Sequence, residues 1–133
     1  MTTRASGTFA VKMTPQAPDD KAEPAMGRMS LDKQFHGDIE GTSKGEMLFA
    51  GGPAQGSGGY VAMERVSGTL HGRGGTFVLQ HSGTMTRGGT QLTINVVPDS
   101  GTGQLAGLTG SMTIKIDNGQ HFYEFDYALP ANP

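Results

Sequence analysis

The sequence predicts an all-β protein that forms a single eight-stranded antiparallel up-and-down barrel. Its 133 residues include 22 glycines, well above the usual share of about 7 %, and these glycines recur between segments in which apolar and polar residues alternate. No window holds apolar residues at helical spacing without an interrupting glycine or β-branched run. A closed barrel leaves no sheet edge, and eight strands enclose room for side chains or one small ligand. A sandwich of the same strands is the alternative.

The eight predicted strands follow the alternation. In chain order they cover residues 4–13, 28–36, 38–49, the two arms of a hairpin over 60–84 around GRGG, 90–97, 110–116 and 121–130. The link DNGQ between the last two strands is the strongest hairpin-turn signal in the chain. Residues 14–27 and 50–59 are rich in proline or glycine and have no repeating apolar side, so we predict that they are loops.

Composition bounds the class of protein. A chain of this length suits one domain over residues 1–133. Its 10 basic and 12 acidic residues give a net charge of −2, which lacks the basic stripe of a nucleic-acid surface. The absence of cysteine excludes disulfides, thiolate catalysis and cysteine zinc sites. The N-terminus has no signal-peptide core, and nothing approaches a membrane span. We therefore expect a cytoplasmic protein that binds neither nucleic acid nor membrane.

Four polar residues share a predicted face with apolar neighbours: Lys33, Glu64, His81 and His121. Buried charge is costly without a partner, so either these faces are solvated or the groups pair inside. Each residue also has a plain structural interpretation. Lys33 would extend out of a barrel mouth, Glu64 would bond a hydroxyl or lysine for stability alone, His81 would be a satisfied core histidine, and His121 would be exposed at a strand start.

The hairpin register decides whether Glu64 and His81 meet. A two-residue loop at 73–74 places Val66 opposite His81 and Glu64 diagonally beside it on one face, within reach of long side chains. A three-residue loop places His81 opposite Arg65, on the other face from Glu64. We favour the two-residue loop because it puts the apolar residues of both strands on one side.

A family resemblance rests on residues 92–130, LTINVVPDSGTGQLAGLTGSMTIKIDNGQHFYEFDYALP. This stretch resembles the closing section of the allene oxide cyclase barrel, which the plant dirigent proteins share. The upstream FHGDIEGTSKGEM and GTLHGRGGTFVLQHSGT resemble a bacterial branch of that barrel, a family of small proteins with no assigned activity. The matching residues are Gly101, Thr102, Gly103, Leu105, Gly107 and Gly110. Without the family, the motif indicates a turn after which Leu105 and Leu108 plug one end of the barrel.

The resemblance implies a barrel, lipocalin-like in general shape, that holds a small apolar or aromatic molecule and needs no cofactor. If the protein is an enzyme, cyclisation or isomerisation is favoured, and we predict Glu64 and His81 as the catalytic acid/base pair. The predicted ligand-binding residues are Lys33, Phe35, Tyr60, Phe77, Tyr123, Phe125 and Tyr127. The alternatives are a non-catalytic carrier or sensor of a hydrophobic ligand, and a barrel with a filled core whose role lies in a protein interface. No metal site is predicted, because the 4 histidines lack ligand spacing.

The resemblance also implies a homo-oligomer, with a dimer favoured. Apolar residues on the outer faces of two strands would supply the interface. We predict that Val61 and Met63 of the fourth strand, and Leu92, Ile94 and Val96 of the sixth, form this outer stripe.

Overall fold

The computed structural model describes residues 2–15, 25–51 and 56–130. Eight antiparallel strands close into a barrel in chain order. They are β1 (Thr3–Pro15), β2 (Ala25–Gly37), β3 (Ile39–Gly51), β4 (Gly58–Leu70), β5 (Arg73–Thr86), β6 (Gly89–Val96), β7 (Thr109–Asp117) and β8 (Gln120–Ala128). The barrel prediction is confirmed, and the pairing of β1 with β8 rules out the sandwich. In these three ranges, no helix is long and apolar enough to cross a membrane.

Three hairpins turn through two residues each, at 71–72, 87–88 and 118–119, and all six of these residues have positive φ. This is the type I′ geometry, whose twist matches that of the flanking strands. The prediction from DNGQ is confirmed. The predicted loop at 73–74 is wrong, because Leu70 pairs with Arg73. Gly72 takes the second left-handed position with φ 80°, and the glycines that follow it belong to the strand.

The strands run further than the alternation predicted. β1 continues to Pro15 and β2 begins at Ala25, while β3 continues to Gly51 and β4 begins at Gly58. The ends of both predicted loops are therefore strand, and their central residues, 16–24 and 52–55, lie outside the described residues. Backbone pairing needs no apolar side chain, so a ladder can continue past the last residue of the core pattern.

At the end of the barrel that carries the β4–β5 turn, side chains fill the interior. Leu105 and Leu108, which follow β6, are 1 % and 0 % exposed and join the core there, so the predicted plug is confirmed. Aromatic rings fill the space behind it. Phe77 and Phe125 stack with their centroids 5.7 Å apart, and Phe125 stacks on Tyr127 at 5.5 Å.

The predicted outer stripe is only half correct. Val61 and Met63 are exposed on β4, but Ile94 and Val96 are buried in the core, and Leu92, although 44 % exposed, lies on the same face of β6 as these two. Ile94 pairs with His81, and residues directly opposite each other in a sheet share a face. The apolar residues of β6 therefore point inward, as the hydrophobic pattern of a barrel strand requires. The homodimer stays a prediction that rests on the outer face of β4.

The β6–β7 seam is the weakest in the barrel. A single pair, Asn95 with Ser111, joins the two strands. Beyond that pair, toward the end opposite the plug, the start of β6 and the end of β7 form no further pair. Leu92 and Ile116, which face inward on either side of this unpaired stretch, are 44 % and 63 % exposed, so the interior is open to solvent there.

Candidate functional site

Four neighbouring strands bring a polar cluster into the barrel. Lys33 on β2 pairs with Ser43 on β3, and Gly45 pairs with Glu64 on β4. His81 on β5 lies diagonally beside Glu64, because it pairs with Ala62. The structure therefore places Glu64 and His81 on one inner face. The prediction that Glu64 and His81 share a face is confirmed, but the hairpin register from which it was derived is wrong.

Glu64 is the centre of the cluster. Its Oε1 accepts hydrogen bonds from Lys33 Nζ at 2.8 Å and from His81 Nε2 at 2.5 Å. Its Oε2 accepts one from the Ser43 hydroxyl at 2.5 Å. All four side chains are buried. A carboxylate with three donors is satisfied in a way that an isolated buried charge is not.

The pKa of Glu64 falls from 4.5 to about 2. Burial is the largest influence and raises the pKa, but the His81 hydrogen bond, the Lys33 charge and the bonds from Lys33 and Ser43 together outweigh it. Glu64 is consequently ionised at neutral pH. It suits the role of a group that fixes and orients an imidazole better than that of a proton donor.

Lys33 does not extend from a barrel mouth. Its side chain is 6 % exposed, and its ammonium group lies 4.8 Å from the centroid of Phe9 and 5.9 Å from that of Phe35. The two rings and the carboxylate take the place of water around the charge. Lys33 therefore neutralises Glu64 inside the barrel.

Gly45 makes room for Glu64. A Cβ atom on Gly45 would lie 2.1 Å from the Met63 carbonyl oxygen and 2.7 Å from the Glu64 Cβ. A side chain at position 45 would therefore collide with the strand that carries the carboxylate. The cluster therefore requires glycine at position 45, in addition to the role of this glycine in shaping the sheet.

A cavity of about 780 Å³ occupies the barrel end opposite the plug. It extends to the opening between β6 and β7, and its walls are mostly apolar. The side chains that define it include Met29, Met47, Phe49, Tyr60, Leu92, Ile114 and Ile116. Pockets of roughly 300–1,000 Å³ with apolar walls and few polar groups are typical of small-molecule sites.

Tyr60 and Gly83 connect the cavity to the cluster. They pair directly across β4 and β5, and both line the cavity. The ring of Tyr60 covers Gly83, where an added Cβ would come within 2.6 Å of it, and its centroid lies 6.4 Å from that of His81. His81 is the next inward residue on β5 after Gly83, so it lies directly beneath the cavity wall.

The other predicted ligand-binding residues lie deeper in the barrel. The five that form part of the packed core are Phe35, Phe77, Tyr123, Phe125 and Tyr127. The cavity walls, as far as the described residues define them, include none of these five. Their predicted role in ligand binding stays a prediction. His121 is half-buried rather than exposed, with its ring 5.0 Å from that of Phe9.

The sequence reasoning missed Ser43 and most of the cavity wall. Ser43 falls on the same side of β3 as Ile39 and Met47, so the alternation carried a signal for its inward position. The wall residues Met29 and Phe49 also followed the alternation, but nothing local marked them as facing open space. Within the described ranges, no group of three His, Asp or Glu side chains could hold a metal ion.

Comparison with known proteins assigns the chain to a family. A crystal structure at 1.84 Å resolution of a protein with unknown function from the DUF3224 family of Shewanella oneidensis MR-1 is 49 % identical to this chain, covers 98 % of it and 100 % of its own length, and superposes with a TM-score of 0.93. No protein with a curated description matches. Residues 5–127 match the family model described as "Protein of unknown function (DUF3224)", and the chain therefore belongs to the DUF3224 family.

Proposed function

We propose that this protein binds a small apolar or aromatic molecule in the cavity between Tyr60 and the β6–β7 opening. The observation that carries the proposal is the combination of about 780 Å³ of apolar-walled space with a buried polar cluster directly beneath it. A barrel that served only as a scaffold gains stability by filling such a space, because packed side chains contribute more than a void. The resemblance to the allene oxide cyclase barrel supports the same function.

Binding of the uncharged fluorescent probe N-phenyl-1-naphthylamine tests the proposal. The variant Leu92→Asp puts a charge on the cavity wall, and Leu48→Asp is its matched control on the outside of the barrel. Leu92 and Leu48 are 44 % and 54 % exposed, so the folding cost of the two changes is similar. We expect saturable binding that Leu92→Asp weakens on the order of tenfold, while Leu48→Asp leaves it unchanged. Equal effects of the two variants, or no saturable binding by the wild type, would overturn the proposal.

A second candidate is cofactor-free isomerisation with His81 as the base. The observation that favours it is the Glu64–His81 hydrogen bond, which fixes the imidazole as the carboxylate does in general-base arrangements. In such a reaction, a proton passes from a carbon beside a carbonyl to the imidazole, and the electron pair becomes an enolate. Where the substrate has a carbon–carbon double bond next to the deprotonated carbon, the enolate is a dienolate, and returning the proton to its far (γ) carbon completes the isomerisation.

Deuterium exchange into 2-tetralone, an aromatic ketone with acidic hydrogens, tests this second candidate. The wild type is expected to accelerate exchange over buffer, and His81→Phe to abolish the acceleration. Binding of 2-tetralone without accelerated exchange would leave the carrier function in place and reject the catalytic one.

A further inference from the structure

We propose that the natural ligand is a hydroxylated aromatic molecule whose hydroxyl group lies between His81 and Tyr60. The inference rests on the proposed function and narrows it, since it names the polar group that the cavity recognises. Two polar atoms carry the argument, one on Tyr60, which lines the cavity, and one on His81, whose ring centroid lies 6.4 Å from that of Tyr60. Neither has a partner among the described residues, and the two have complementary hydrogen-bonding character.

The first atom is Nδ1 of His81. The ring uses Nε2 to bond Glu64, and because that carboxylate is ionised, Nε2 must carry the hydrogen. In the tautomer with its hydrogen on Nε2, the imidazole presents Nδ1 as an acceptor. Throughout the described ranges, no completely enclosed side-chain nitrogen or oxygen lacks a hydrogen-bond partner. Nδ1 has no partner among the described residues, so we infer that it keeps contact with accessible space, and the next inward residue on β5, Gly83, lines the cavity.

The second atom is the hydroxyl oxygen of Tyr60. Tyr60 lines the cavity, and its hydroxyl bonds no described residue. Burial, and then the charge of Glu64, raise the pKa of Tyr60. The hydroxyl therefore keeps its hydrogen at neutral pH and can donate it. By contrast, the hydroxyl of Tyr123 accepts a hydrogen bond from Ile39 N–H and donates its hydrogen to the His36 carbonyl, so it has no hydrogen left to donate to a ligand.

One ligand hydroxyl satisfies both atoms. A hydroxyl donates through its hydrogen and accepts through its lone pairs, so it can donate to His81 Nδ1 and accept from Tyr60. The rest of the ligand meets apolar walls. Phe49 offers a ring for stacking, and Met29 and Met47 offer thioethers that contact aromatic rings favourably. A phenol attached to a larger apolar body is the class that uses all of these groups.

Two probes that differ by one hydroxyl test the inference: 2-naphthol and naphthalene. The affinity of each probe is measured by displacement of N-phenyl-1-naphthylamine from the wild type, His81→Phe and Tyr60→Phe. For each protein, the affinity for 2-naphthol is divided by the affinity for naphthalene. We expect the preference for 2-naphthol to fall on the order of tenfold in His81→Phe and about threefold in Tyr60→Phe, with naphthalene affinity unchanged in both. A ratio that is the same in all three proteins would overturn the inference while leaving the binding function in place.

If His81→Phe fails to fold, ¹⁵N NMR of the wild type provides the test instead. We expect 2-naphthol, and not naphthalene, to shift the His81 Nδ1 resonance of ¹⁵N-labelled protein. An Nδ1 resonance that neither probe moves, while both bind, overturns the inference. If the wild type binds N-phenyl-1-naphthylamine but neither probe displaces it, the inference is overturned and the proposed function stands. If the wild type binds none of the three molecules, the proposed function is overturned as well.

Discussion

Glu64 Oε1 lies 2.5 Å from His81 Nε2 in the barrel interior, where the two residues are only 1 % and 3 % exposed. A contact of this kind between an ionised carboxylate and an imidazole costs free energy in the interior unless the charge is balanced. Lys33 provides the balance from the opposite side, at 2.8 Å from the same oxygen. The three groups therefore depend on one another for stability.

Removing the charge of Glu64 should destabilise the fold strongly. In Glu64→Gln the Lys33 ammonium stays buried without its counter-charge, and breaking a buried pair in this way typically costs about 3–5 kcal/mol. Chemical denaturation would measure the loss. The double variant Lys33→Met with Glu64→Leu removes both charges and keeps apolar bulk, so it should recover most of the stability. A Glu64→Gln protein as stable as the wild type would contradict the mutual dependence.

Acid should destabilise the protein through the same carboxyl. The pKa of Glu64 is about 2 in the folded protein, against 4.5 for the free group, so the unfolded chain binds the proton more readily. This contribution to stability is fully present above pH 4.5 and is lost as the pH falls toward 2. The difference corresponds to about 3 kcal/mol.

Denaturation midpoints between pH 5 and 2 would measure this dependence. The exposed carboxyls Glu40 and Asp126 also have lowered pKa values, so the wild type must be compared with Lys33→Met, Glu64→Leu. The double variant should lose less stability over this range. Parallel curves for the two proteins would show that Glu64 is not responsible.

The face of each residue near the site could be predicted because strand alternation is local. The predicted hairpin loop was displaced, and His81 was paired with Val66 instead of Ala62. Those two partners differ by an even number of residues, so the error left His81 on the correct face. The same logic failed on β6, where the apolar residues were assigned to the outside without reference to the strand beside them. Pairing Ile94 with His81 fixes its direction, and that pairing is not local.

The cavity could not be predicted, because its position depends on how eight strands stagger around the barrel. Alternation marks Leu79 and Gly83 alike as inward, yet Leu79 is completely buried and Gly83 lines open space. The difference comes from strand tilt and from the short β6–β7 seam. Ser43 was missed for a related reason, since its hydroxyl can donate to Glu64 only when β3 lies beside β4.

An alanine at position 83 should disturb the cavity through Tyr60. The added Cβ would lie 2.6 Å from the ring, so the ring must move, and overpacking of this kind typically costs about 1–3 kcal/mol. We expect both lower stability and weaker binding of N-phenyl-1-naphthylamine. The matched control is Gly74→Ala on the same strand, which is not among the residues that line the cavity and where the nearest atom to the new Cβ is 3.9 Å away. If the two alanine variants bind the probe equally, Tyr60 does not shape the site.

Two tyrosines should respond differently to the loss of a hydroxyl. Tyr123→Phe leaves the buried Ile39 N–H without the acceptor that it meets at 2.9 Å, and an unsatisfied buried donor costs about 1–3 kcal/mol. Tyr60→Phe removes a hydroxyl that bonds no described residue, so its stability should change by less than about 0.5 kcal/mol. Denaturant unfolding of both variants provides the comparison, with probe binding as a second measurement. A loss of stability in Tyr60→Phe as large as that in Tyr123→Phe would mean that the Tyr60 hydroxyl has a structural partner, and it would then be unavailable to a ligand.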